Sequence, residues 1–254
     1  MSKVTDRLDN KQIVELAKQR YEQNKTASKF PGNIISLPSQ GKTYSESSPL
    51  RSGKIEMRHM TAFDEDILTN QTYLTEGVVF DKLLEALIIS PNINPNDLVP
   101  GDKEWAIISA RILGYGVDYP VNIKDKEAVI DLSKLKAVTF DENSDEAGYF
   151  TYTVPTTGDI LTYKYLTAGE AQNISESSRI SEFLKHTVQA VNGNTSQADI
   201  QEYLKFDLRA LDSRKFRKHV TDTTPGLDYN TTATDAEGGV HDAVFRFDVK
   251  LFWF

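Results

Sequence analysis

The chain has 254 residues, a net charge of −8, 39% apolar and 10% aromatic content, and no cysteine. That is enough apolar material for one large domain or two of ordinary size, and it excludes disulfides, thiolate metal sites and a cysteine nucleophile. The acidic balance argues against broad binding to nucleic-acid phosphates, no run of about 18 apolar residues is present to span a membrane, and the first residues lack the apolar stretch of an export signal.

Residues 1–32 read as an N-terminal arm. Asp9 is placed to cap a helix over 9–25, where Ile13, Leu16, Ala17 and Tyr21 follow the helical period between charged faces. Ser28 to Pro31 then reads as a linker. Two roles fit: an exposed arm, or an arm that binds a partner through Ile13, Leu16 and Tyr21 and orders on assembly.

Residues 33–60 are extended and broken by Pro38, Gly41, Pro49 and Gly53. Ile55 and Met57 alternate with Lys54, Glu56 and Arg58, which predicts a half-buried strand. Thr61 with Asp64 marks a capped helix start, and the spacing predicts helices over 62–71 and 76–89. The stretch from Asn92 to Pro100 must be a loop. Asp102 is placed to cap a third, strongly apolar helix that ends at Gly114 and Gly116. Beyond Gly116-Val117-Asp118-Tyr119 the pattern is strand, polar turn, strand.

The acidic segment 141–147 is the natural boundary between lobes at 33–140 and 148–254. In the second lobe the order recurs. Leu37-Pro38-Ser39-Gln40-Gly41 has its counterpart in Val154-Pro155-Thr156-Thr157-Gly158, and Thr61 with Asp64 in Thr167 with Glu170. A helix is predicted over 178–191, then a third in two pieces, 196–205 and 212–220. Asp212 precedes Asp228 of Gly226-Leu227-Asp228-Tyr229 by the same 16 residues that separate Asp102 from Asp118, at an offset of 110. The expectation is an α+β chain of two tandem repeated lobes. Each has a short β segment, about three helices and a terminal hairpin, with the N-terminal helix outside the repeat. The chain closes on an expected strand with Phe245, Phe247, Val249, Leu251 and Trp253 on one face and Phe252 and Phe254 on the other, packed within the chain or on another subunit.

No chemistry is marked out. His59, His186, His219 and His241 are scattered, with no HExxH pair, no GxSxG elbow and no phosphate loop. Asp102 and Asp212 are explained as caps, and Asp118 and Asp228 as turn residues. Neither a cofactor nor a metal site is expected. The basic run Arg214, Lys215, Arg217, Lys218 and His219 is either a solvated helix face or a patch for an acidic partner.

The order LPSQGKTY, a strand, T-x-x-D-E, an apolar helix, GD, an Arg-containing helix and YGxxY resembles baseplate hub and tail-assembly proteins of T4-type contractile-tailed bacteriophages. VPTTG, TAGE, a Val-Asn-Gly turn at Val191 to Gly193, PGLDY and a terminal LFW continue the resemblance over residues 34–254. Related sequences often carry cysteine pairs in the two hairpins, in a zinc-ribbon arrangement. Here Asn122 and Thr232 lie near those places, so thiolate zinc is out of reach. The resemblance implies a non-enzymatic protein of the virion tail, or of the host cytoplasm during assembly, that binds hub or tape-measure components. The candidate contacts are the N-terminal helix, Arg214, Arg217 and Lys218, and the tip Phe252-Trp253-Phe254. The alternatives are a hydrolase with acids at the seam between the lobes and a generic cytoplasmic adaptor.

Overall fold

The computed structural model describes residues 32–123, 126–138, 140, 143–174, 177 and 179–253. The expected helix over 9–25, with Ile13, Leu16 and Tyr21, and the tip residue Phe254 lie outside that range. The fold is mixed α+β.

Alternating apolar residues send one face of β2 (Lys54–Met57) inward, and β2 pairs antiparallel with β1 (Asn33–Ser36). The turn after β1 needs a residue with positive φ. Gly41 supplies it at 81°, and a Cβ there would stand 2.2 Å from the Arg51 carbonyl oxygen. The Thr61–Asp64 capping box starts α1 (Ala62–Thr69). Burial pushes the Asp64 carboxyl up, but hydrogen bonds from Arg58 and Thr61 more than reverse this and hold it below the ordinary carboxylate range.

The expected helix 62–71 stops two residues early, at Thr69. The Asn70 side chain accepts from the Thr72 and Tyr73 N–H groups and opens α2 (Gln71–Glu76). The expected helix 76–89 is the shorter α3 (Val79–Leu87), because Ile88 leaves it to bridge Met57 of β2. Next comes α4 (Pro100–Tyr115). Pro100 stands at its first position, where a missing N–H costs nothing.

Asp102 is therefore not the cap, as the sequence had implied; Val99 is. Asp102 is buried in the first turn, and its carboxylate reaches back to the turn after β1. Oδ1 accepts from the Ser39 N–H at 2.9 Å, and Oδ2 accepts from the Ser39 and Tyr44 hydroxyls at 2.6 Å each. The Tyr44 oxygen in turn accepts from the Val99 N–H. After α4 come β3 (Asp118–Ile123), β4 (Lys126–Asp131) and the short β5 (Lys136–Ala137).

β6 (Phe150–Thr153) pairs with β7 (Ile160–Tyr163). The Thr167–Glu170 capping box opens α5 (Ala168–Gln172), and Lys164 holds Glu170 as Arg58 holds Asp64. The expected helix 178–191 is α6 (Arg179–Thr187) followed by a strand, β8 (Val188–Val191), paired with β7. Val188 and Val191 are β-branched and suit the pleated ladder better than a helix. The Lys164 N–H donates to the Thr187 carbonyl there, and the Arg58 N–H to the Leu87 carbonyl in the first half, both at 3.0 Å.

α7 (Gln197–Glu202) continues as a π turn over Tyr203–Asp207, and α8 (Ala210–Thr223) follows. Asp212 repeats the Asp102 correction. Arg209 is the cap, and the buried Asp212 accepts from the Thr156 hydroxyl at 2.5 Å. Its other oxygen has no partner among the described residues.

The halves share one sheet and one buried core. The hairpin β3–β4 and the hairpin of β10 (Asn230–Asp235) and β11 (Val240–Val244) form one sheet in the order β11-β10-β4-β3, and β5 pairs with β9 (Leu227–Asp228). The expected terminal strand over 245–253 is absent. β11 ends at Val244, and Val249–Phe252 is a 3-10 turn. The buried Arg111 guanidinium explains the curl: its Nε donates to the Leu251 carbonyl while its other nitrogens take the Gly116 and Asp118 carbonyls. Phe252 then swings in against Phe80 and Tyr115.

Burial holds the Asp102 carboxyl above the ordinary carboxylate range, and its hydrogen bonds offset this only in part. A folded-state pKa above the unfolded one means that the stabilising contribution is present at low pH and is lost as pH rises through the folded value. Asp102→Asn replaces one acceptor with a donor that faces other donors, so it should lower the unfolding free energy by about 1–3 kcal/mol at neutral pH. Urea titrations should show the wild type gaining stability relative to this variant as the pH is lowered.

Candidate functional site

The two halves meet along the first turn of α4. Gly101 lies directly against the chain at Pro225, where a Cβ would be 2.1 Å from the Pro225 carbonyl oxygen. The Ala168 N–H at the start of α5 donates to the Leu98 carbonyl at 2.7 Å. α5 is thereby wedged at the seam, with a hollow on each side of it.

One hollow, of about 360 Å³, is lined by Phe80, Ile107, Phe247, Asp81, Lys103 and Glu104, among others. Lys103 is buried, forms an ion pair with Asp81 and donates to the Asn96 side chain at 3.1 Å. Glu104 accepts from the Tyr229 hydroxyl, which joins α4 of the first half to the second Gly-x-Asp-Tyr. Burial raises the Glu104 carboxyl, with the Tyr229 bond working the other way. Burial and then Glu104 raise the Tyr229 phenol. The other hollow, of about 260 Å³, has Tyr165, Leu166, Phe183 and Val220 in its wall, with Arg179 at its edge. These are apolar recesses with a few fixed polar groups, suited to receiving a side chain. Each seam acid is already engaged, Asp81 by Lys103 and Glu104 by Tyr229.

The histidines lie apart. His59 contacts Asn33 and the Leu113 carbonyl, His219 the Tyr163 hydroxyl, His241 Asp235, and His186 Glu182. Among the described residues no three His, Asp or Glu side chains are grouped to hold a metal ion, and no described helix is long and apolar enough to cross a membrane.

The basic residues expected to contact a partner stand on α8. Arg214, Lys215 and Lys218 are exposed, while Arg217 is half-buried. Its Nε is buried with no partner among the described residues. Lys218 also binds Asp222 at 2.5 Å. Leu211 shares the exposed face at helical spacing and is 57% exposed, and Phe206, in the π turn that precedes it, is 71% exposed. The described tip residues, Phe252 and Trp253, are not brought to this face. Phe252 is buried in the core, so it presents no surface, and Trp253 is exposed beside β3 and β4.

Sequence reasoning missed Leu211 and Phe206 on this face and Asp81, Lys103, Glu104 and Tyr229 at the seam. Leu211 carried a signal, its spacing of three from Arg214. The seam residues carried none, because their meeting depends on how the halves dock. Compared with known protein families, characterised proteins and solved structures, the chain gives no match.

Breaking the buried Lys103–Asp81 pair leaves an uncompensated charge. Lys103→Met alone should therefore cost about 3–5 kcal/mol, whereas Lys103→Met with Asp81→Leu should recover most of it. Chemical denaturation of the two variants makes the comparison.

Proposed function

We propose that the chain is a non-enzymatic baseplate hub or tail-assembly protein of a T4-type contractile-tailed bacteriophage, acting by binding hub or tape-measure components. The ordered motifs from LPSQG to PGLDY support the family. The mode of action rests chiefly on one observation: the exposed face of α8 carries Leu211, Arg214, Lys215 and Lys218, although the chain as a whole has a net charge of −8. A local cationic face with an apolar anchor suits an acidic, partly apolar partner, and it steers encounter through charge complementarity.

We also read the two halves as a duplicated unit. The paired capping boxes, the Arg58–Asp64 and Lys164–Glu170 bridges and the two buried aspartates support that reading. A duplicated binding module presents related surfaces twice, which suits a connector between tail components.

The test is affinity capture of the tagged chain from infected cells, in parallel with the variant Arg214→Glu, Lys215→Glu, Lys218→Glu. Wild type should retain tail components, and the variant should lose them by about tenfold or more, since each lost charge contact is worth up to about 1 kcal/mol. Capture of no tail component by the wild type contradicts the proposal.

A further inference from the structure

Two short segments meet at the seam between the halves. The first-half turn Pro95–Asp97 ends at Leu98, whose carbonyl accepts from the Ala168 N–H of α5 at 2.7 Å. One residue on, the chains nearly touch: a Cβ on Gly169 would stand 3.1 Å from the Asn96 Cβ. Ala168 and Leu98 are both buried there.

Read as a duplicated unit, the chain carries a second member of each segment, and both lie at the surface. The capping boxes align Ala62 with Ala168 and Phe63 with Gly169. The buried aspartates align Leu208 with Leu98 and Phe206 with Asn96. The backbone agrees with this second alignment. Leu98 and Leu208 each end a short turn, with the N–H donating back to the Pro95 or Tyr203 carbonyl. Each then leads through an extended residue, Val99 or Arg209, into α4 or α8.

Ala62 is exposed, and among the described residues neither its N–H nor the Leu208 carbonyl has a hydrogen-bond partner. Phe63 is 85% exposed and Phe206 71%. Where the internal seam sets a glycine against an asparagine, each open surface holds a phenylalanine in water. Their surroundings are opposite in charge. Glu65 and Asp66 follow Phe63 on α1, which has no basic residue. Exposed Lys205 and Arg209 flank Phe206, with Asp207 beside it.

We propose that the start of α1 binds the Phe206–Leu208 turn of a second copy of this chain, making between molecules the contact that α5 makes with Leu98 within one. The Ala62 N–H donates to the Leu208 carbonyl, Phe63 packs on Phe206, and Glu65 and Asp66 face Lys205 and Arg209. The Gly169–Asn96 approach is close, so the join opens by a few tenths of an ångström to admit the Phe63 Cβ. The two surfaces differ, so the contact is head-to-tail, and it closes into a ring or extends as a chain according to the rotation between copies. This contact rests on the reading of the halves as a duplicated unit and is independent of the phage assignment.

The experiment measures the mass of the full chain by light scattering across a concentration series. Wild type should grow from monomer to dimer and beyond. Phe63→Lys and Phe206→Glu each set a charge against like charges, so each should shift association to about tenfold higher concentration or more. Both positions are exposed, and circular dichroism checks that the variants fold. Mixed in equal amounts where wild type associates, the two variants should form a dimer and stop there, because one keeps the turn intact and the other keeps α1 intact. A wild-type chain that stays monomeric at its highest soluble concentration overturns the proposal. So does undiminished association of either folded variant, or a mixture that forms no dimer. Such a failure leaves the duplication standing, since that falls only if segments 34–135 and 154–251 trace different topologies.

Discussion

Each half depends on a buried carboxylate in the first turn of a helix that reaches back to hold the turn after its first strand. In the first half Asp102 takes the Ser39 N–H, the Ser39 hydroxyl and the Tyr44 hydroxyl. In the second, Asp212 takes the Thr156 hydroxyl. Burying a carboxylate is costly unless donors surround it, so the turn, the helix start and the side chains between them have little freedom to move independently. The helix N-terminus adds its positive end to the same place. With α4 fixed in this way, Gly101 meets Pro225 and Glu104 meets Tyr229, and the seam between the halves follows.

The parts legible in the sequence were those set by local chemistry. Capping boxes at Thr61 and Thr167, glycines closing turns and the strand–turn–strand pattern after each Gly-x-Asp-Tyr all have short-range causes, and each was found where expected. The parts that misled were those decided by long-range partners. Val188 to Val191 continues a helical apolar stripe in sequence, yet β7 claims it as a strand. The Phe245 to Trp253 segment alternates like a strand, yet Arg111 captures the Leu251 carbonyl across the fold and curls it into a turn. Asp102 and Asp212 have the right residue type for caps, but the chain enters each helix two residues or more before them.

The candidate surfaces divide in the same way. The cationic face of α8 was visible because helical spacing alone places Arg214 and Lys218 together. The seam hollows were not, because Asp81, Lys103 and Tyr229 are distant in sequence and are assembled by docking. Phe252 shows the limit of reading exposure from position near a terminus: it is buried against Phe80 and Tyr115. What remains exposed includes a basic helix face on α8 and the open β11 edge of the four-stranded sheet.

The tether itself is most directly tested by native-state hydrogen exchange at the Ser39 amide. Ser39 sits in a turn, where an amide facing water exchanges quickly, but here its N–H is held by the buried Asp102 carboxylate. The account predicts that this amide exchanges only as slowly as the core amides of α4, through global unfolding. Exchange at the rate of an open surface turn would contradict it.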